Sequence, residues 1–127
     1  MNILMIGLDD GDKVIDMMKK TVDEDMNFTI ADSIVNAPSL IEEKAIDLFL
    51  CDLKYKDEEV IGLIKNIGDF FANPIRGVFI HSSENYPIAI VGINSSIIVD
   101  YIVRPYDENR FVEMWDRRKK YKFFLSG

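Results

Sequence analysis

The chain is predicted to be an α/β protein: a doubly wound, five-stranded parallel sheet of order 2-1-3-4-5 with five helices, forming one domain over residues 1–127. Three observations carry this prediction. Short apolar runs alternate with segments of helical period in the order βαβαβαβαβ, which implies right-handed crossovers with helices on both faces. Several runs, among them Leu48-Phe49-Leu50-Cys51, are continuous rather than alternating, as strands covered on both faces are. Three successive runs end in Asp52, in Ser82 and in Arg104-Pro105. In a parallel sheet those three ends share one edge, where open α/β folds hold their chemistry.

Taken in order, residues 3–8 (Ile-Leu-Met-Ile-Gly-Leu) read as a strand buried on both faces. Asp9-Asp10-Gly11-Asp12 breaks the run and suits a helix cap. Val14, Ile15, Met17, Met18 and Val22 then recur at helical spacing. Met26-Asn27-Phe28-Thr29-Ile30 alternates strictly, which predicts a less-buried edge strand. A short helix over 38–44 leads to the strand 46–51 that ends at Asp52. Residues 57–71 read as the third helix, with Val60, Ile61, Ile64, Ile67, Phe70 and Phe71 on one side and Asn73-Pro74 as its stop. The fourth strand is 77–81.

Segment 84–99 carries mixed signals. Pro87 suits a helix start, yet Ile88, Ile90, Val91, Ile93, Ile97, Ile98 and Val99 are β-branched, and Gly92 weakens a helix. Tyr101-Ile102-Val103 closes the fifth strand, and Asp107 caps a last helix striped by Phe111, Met114 and Trp115. The flavodoxin-like order 2-1-3-4-5 fits best. It sets the alternating second strand at the edge and the first strand beside the third, so that Asp9 and Asp10 approach Asp52.

Composition narrows the function classes. A chain of 127 residues, 48% hydrophobic, supports one packed core. The lone Cys51 excludes a disulfide framework and fits a reducing compartment. No apolar stretch approaches the roughly 20 residues that span a bilayer, and the N-terminus lacks the basic flank of a secretory signal. A cytoplasmic protein is expected. The net charge of −7 disfavours nucleic acid as a partner of this domain. The basic cluster Arg117-Arg118-Lys119-Lys120-Tyr121-Lys122 reads as a solvated helix C-terminus. An acidic turn after the first strand, in place of a Gly-rich loop, disfavours nucleotide or flavin.

Carboxylates crowded at one edge repel each other, and a hard divalent cation is the usual remedy. Mg²⁺, weakly bound by Asp9, Asp10 and Asp52, would let Asp52 attack a phosphoryl donor. Ser82 and Arg104 stand where donors to the incoming oxygens are needed. Blander roles exist for each: Asp52 and Ser82 as caps, Arg104 as a structural ion-pair partner of Asp52 or Asp9. His81 reads as strand packing, and Cys51 should point into the core.

These residues resemble a known pattern. Over essentially its whole length the chain is similar to the receiver domains of bacterial response regulators, an atypical one with Arg in place of the usual Lys. Asp52 after Leu-Phe-Leu-Cys matches the phospho-acceptor of that family, and Ser82 its Thr/Ser at the end of the fourth strand. Tyr101 matches the switch aromatic, and Arg104-Pro105-Tyr106 stands where the family has Lys-Pro-Phe. Either Asp9/Asp10, by helix register, or Gly7/Leu8, by gapless alignment, take the places of the acidic pair. The Pro and Gly usual after the acceptor are absent from Leu53-Lys54-Tyr55-Lys56-Asp57, and Ser83-Glu84 narrows the approach.

The resemblance implies a two-component phospho-acceptor rather than an enzyme. A histidine kinase or phosphotransfer protein would phosphorylate Asp52, with Ser82 and Tyr101 as switch residues reshaping a partner-binding face. The alternative is a degenerate receiver, a phosphorylation-independent interaction module. The apolar 88–106 region suggests a homodimer or docking face, or simple packing on the sheet.

Overall fold

A computed structural model of the protein describes residues 1–70, 75–82 and 95–126, with side chains for 1–69, 75–82 and 95–117. Five strands form one parallel sheet: β1 (Asn2–Ile6), β2 (Asn27–Ala31), β3 (Leu48–Asp52), β4 (Arg76–His81) and β5 (Ile98–Val103). Their order is β2-β1-β3-β4-β5, as predicted. Four α-helices are described: α1 (Gly11–Thr21), α2 (Ala37–Glu43), α3 (Asp57–Phe70) and α4 (Glu108–Ser126), with a 3₁₀ turn at Ile34–Asn36. The fifth predicted helix, with Ser83, Glu84, Pro87 and residues 88–94 of the 88–106 region, falls on 83–94, outside the described residues. The predicted stop at Asn73-Pro74 falls outside them too. Of the mixed segment 84–99, residues 98 and 99 belong to β5.

The sheet is buried on both sides because its central strands are apolar through residues 3–6, 48–51 and 78–80. Period-two alternation sends Leu4, Ile6, Phe49, Cys51 and Phe79 to one face, where Ala37, Ile41, Val60, Leu63, Ile64 and Ile67 cover them. It sends Ile3, Met5, Leu48, Leu50, Val78, Ile80 and Ile102 to the other, against Val14, Met18, Phe111, Met114 and Trp115. Each such fully buried aliphatic or aromatic side chain is worth about 1.5–3 kcal/mol over exposure, so a charge at Leu50 would break both its own layer and the strand beside the site. The edge strand β2 is half-buried. Met26 and Phe28 pack on the core, but Ile30, predicted for the same face, is 56% exposed. No helix among the described residues is long and apolar enough to cross a membrane.

The first strand stops earlier than its apolar run. Gly7 takes a left-handed φ of +68° while its N–H still donates to Ala31 O at 3.0 Å. The Tyr55 ring lies where a Cβ would stand. Only glycine meets both demands at no cost. The chain therefore turns at Gly7, and residues 8–10 carry it into α1. Asp10 occupies the N-cap position of α1, yet makes no side-chain cap hydrogen bond; its carboxylate is drawn elsewhere. Asp107 does act as a cap, its Oδ1 accepting from Asn109 N–H at 3.0 Å.

Candidate functional site

β3, β4 and β5 run parallel, with Asp52 beside Ile80 and, past an irregularity at Gly77/Val78, His81 beside Val103. Their carboxyl ends therefore lie side by side, and the turn before α1 joins them from β1. Asp52 is the last residue of β3 and is only 8% exposed. Its Oδ1 accepts the Lys54 N–H at 2.8 Å, which closes the turn after the strand, and its Oδ2 accepts from Arg104 Nη2 at 2.7 Å. Both carboxylate oxygens are thus engaged by donors of the protein.

Arg104 follows β5 directly. Its backbone N–H donates to His81 O at 2.8 Å, extending the β4–β5 ladder and fixing where the side chain starts. From there the guanidinium forks. Nε donates to Asp10 Oδ2 at 2.9 Å and Nη2 to Asp10 Oδ1 at 3.0 Å, a bidentate pair. Nη1 donates at 3.0 Å to the Oγ of Ser82, an exposed residue just past β4. The Tyr106 ring lies 5.7 Å from the guanidinium carbon and meets Phe111 edge-on, tying the group to α4. The hydrogen bonds from Arg104 hold the Asp10 carboxyl below its usual range, against the opposing effect of burial. Burial next to Asp52 pushes the Cys51 thiol up, so this cysteine is an inert core residue.

Among the predicted site residues, Asp10, Asp52, Ser82 and Arg104 converge, and two do not join them. The Asp9 side chain is 93% exposed and, among the described residues, pairs with Lys54 alone, whose Nζ lies 3.3 Å away. Neither Gly7 nor Leu8 substitutes for it: Gly7 has no side chain, and Leu8 packs against the core. Tyr101 lies on the outward side of β5, 37% exposed, its ring 5.6 Å from that of buried His81. Of the two partners considered for an Arg104 ion pair, Asp52 is one; the other is Asp10 rather than Asp9.

As arranged, these residues do not form a Mg²⁺ site. The space between Asp10 and Asp52 holds the Arg104 guanidinium, and Asp9 points to solvent. Among the described residues no group of three potential metal ligands converges. Mg²⁺ requires oxygen ligands at about 2.1 Å in near-octahedral array, and a guanidinium between two carboxylates excludes that.

A second charged cluster escaped the sequence reading. Asp100, its side chain 1% exposed, accepts from Arg110 at 2.6 and 2.9 Å and from Arg117 at 2.8 Å. Arg117 is therefore a brace between β5 and α4 rather than only a solvated end. The signal was present: Asp100 shares the inward parity of Ile98 and Ile102, where a carboxylate must find cations.

No family model matches the chain. The hydrogenase transcriptional regulatory protein HoxA of Bradyrhizobium diazoefficiens is 24% identical over 106 residues, covering 84% of this chain and 22% of that protein. The chain thus spans about a fifth of the length of the curated relative it matches. Solved structures agree over nearly all of it. A signal receiver domain of a two-component histidine kinase from Clostridium thermocellum superposes with a TM-score of 0.74 at 16% identity, covering 94% of this chain and 96% of that one. A response regulator from Thermotoga maritima gives 0.73 at 18%, with 94% and 97% covered. A CheY-like receiver domain protein from Methanospirillum hungatei gives 0.70 at 18%, with 95% of each covered. The strand order, the helices on both faces and these superpositions agree: the chain has the receiver-domain fold of response regulators.

Proposed function

We propose that this protein is a receiver-type signalling module that works by binding a protein partner, with its acidic pocket held closed by Arg104 rather than switched by phosphate. One observation carries the reading: the Arg104 guanidinium bonds Asp10 and Asp52 together, and both Asp52 oxygens already have donors. A nucleophilic carboxylate needs a free oxygen and a route for the phosphoryl group. Charge supports the same reading. Asp10 and Asp52 bring two negative charges against one from Arg104, so an incoming phosphoryl dianion would meet a pocket already net negative. Partners of the histidine kinase or phosphotransfer class, and self-association through 88–106, belong to this proposal as its candidate interactions.

The test is incubation with acetyl phosphate and Mg²⁺, read by intact mass. Wild type should acquire no phosphate. A hydroxylamine-labile phosphate on wild type that is absent from Asp52→Ala would overturn the closed-pocket reading.

That outcome would establish the second reading, a phospho-acceptor at Asp52. It is favoured by Ser82: its exposed hydroxyl lies 3.0 Å from Arg104 Nη1, where a phosphoryl oxygen would find two donors.

A further inference from the structure

The two edges of the sheet are finished differently. At β5 side chains occupy the outward groups: Tyr101 N–H donates to Asp100 Oδ1 at 2.8 Å, and Tyr101 O accepts from Arg110 Nη2 at 2.8 Å. At β2 they do not. Asn27 N–H donates to Met1 O at 2.8 Å and Ala31 O accepts from Gly7 N–H at 3.0 Å, so Asn27, Thr29 and Ala31 turn their backbone groups to β1. Period two then turns those of Phe28 and Ile30 outward, and among the described residues nothing bonds them. The usual protections of an edge, a lysine, a proline or a bulge, are missing from Asn27–Ala31, and Ile30 is 56% exposed. We propose that β2 is a self-association edge: two copies pair it antiparallel about a two-fold axis at Thr29, making one continuous sheet with β5 at each end. β1 separates β2 from β3 and Asp52, so the pairing is independent of whether the acidic pocket is closed.

The register says why the occupant is a second copy. With Thr29 opposite Thr29, Phe28 falls opposite Ile30 of the other copy, and Ile30 opposite its Phe28. These are the residues whose N–H and C=O point outward, so each pair exchanges two hydrogen bonds. The Thr29 pair between them needs none, because its groups already serve β1. Directly opposite side chains share a face. Exposed Ile30 therefore covers the half-buried Phe28 of its partner and extends the layer that holds Met26 and Phe28. One strand supplies both halves of an apolar cross-strand pair, as an isologous contact requires. Charge agrees. The chain carries −7, yet residues 26–31 include no charged side chain, so two copies meet there without burying like charges. Asp25 and Asp32 stand just outside, at the two ends of the shared segment. Five residues a side fall short of the roughly 1,200 Å² of a stable complex, so the dimer is weak and concentration-dependent.

Backbone amides read the pairing one residue at a time. In hydrogen–deuterium exchange followed by amide spectra, Phe28 and Ile30 should exchange at least about threefold more slowly at about 1 mM chain than at about 50 µM, the range in which contacts this small associate. Asn27, Thr29 and Ala31, already held by β1, should not change. Sedimentation equilibrium should show a dimer and no larger species. Ile30→Lys places an ammonium opposite Phe28 on a side chain that the fold leaves largely in water. It should keep the Tm of wild type and lose both the dimer and the slowed amides. Raising NaCl from about 0.05 to about 0.5 M should tighten the dimer, because it screens Asp25 and Asp32. A monomer at the higher concentration, slowing confined to other residues, a species larger than a dimer, a dimer weakened by salt, or one that survives Ile30→Lys overturns the proposal. A strand of another protein on this edge would slow the same amides only when that protein is added, which also counts against a second copy. If Ile30→Lys does not fold, the wild-type exchange pattern decides. Phosphate on wild type would defeat the closed-pocket reading and leave these measurements unchanged.

Discussion

Arg104 and Asp10 stand 94 residues apart in the chain and meet through two parallel hydrogen bonds, Nε to Oδ2 at 2.9 Å and Nη2 to Oδ1 at 3.0 Å. The pair joins the entry of α1 to the exit of β5, across the sheet edge that also carries Asp52. Its contribution is open to measurement because both partners are largely shielded from water.

Arg104→Ala should destabilise the fold by about 2 kcal/mol, since it strips charged hydrogen bonds from two partly buried carboxylates. Urea denaturation measures this. Lys54→Ala is the contrast: its partner Asp9 is open to solvent, and no measurable change is expected.

Acid should weaken the same link. Asp10 has its pKa lowered in the fold, chiefly by the hydrogen bonds from Arg104. A depressed carboxylate contributes stability that is complete above its unfolded value of 3.8 and is lost as pH falls through the folded value. The urea midpoint of wild type should therefore drop on acidification below about pH 4 more steeply than that of Asp10→Asn. Parallel slopes would show that Asp10 is not held this way.

Gly7→Ala should cost about 3 kcal/mol, from the left-handed backbone together with the collision of the new methyl with the Tyr55 ring. Tyr55→Ala in the same chain should recover the collision share and leave the backbone share. Thermal or urea unfolding of the single and double variants separates the two.

Asp100→Ala should cost about 3 kcal/mol, because it leaves Arg110 and Arg117 without their shared carboxylate beneath α4. Amide exchange should accelerate first in β5 and α4, where Arg110 also holds Tyr101 O at 2.8 Å. Lys20→Ala, whose ion pair with Glu108 at 4.0 Å is exposed, should leave exchange there unchanged.

What the order of residues by itself determined is local or periodic. The continuous runs through Ile3-Leu4-Met5-Ile6 and Leu48-Phe49-Leu50-Cys51 predict strands covered on both faces, and the alternation of elements then selects the 2-1-3-4-5 sheet, because burying such strands admits few arrangements. Asp107 as a cap and Cys51 as core were equally legible, each depending on a few neighbours. Asp52 as a partner of Arg104 was among the alternatives the sequence left open, but the other partners of the charges were not legible. That Asp10 rather than Asp9 meets Arg104 depends on a turn at Gly7, set by its positive φ and the Tyr55 ring pressed on it. That Asp100 draws in Arg110 and Arg117 depends on how α4 lies across β5. Periodicity acts along the chain and survives inspection of the letters, whereas a guanidinium chooses its carboxylates through space, over a few ångströms that only the packed tertiary structure sets.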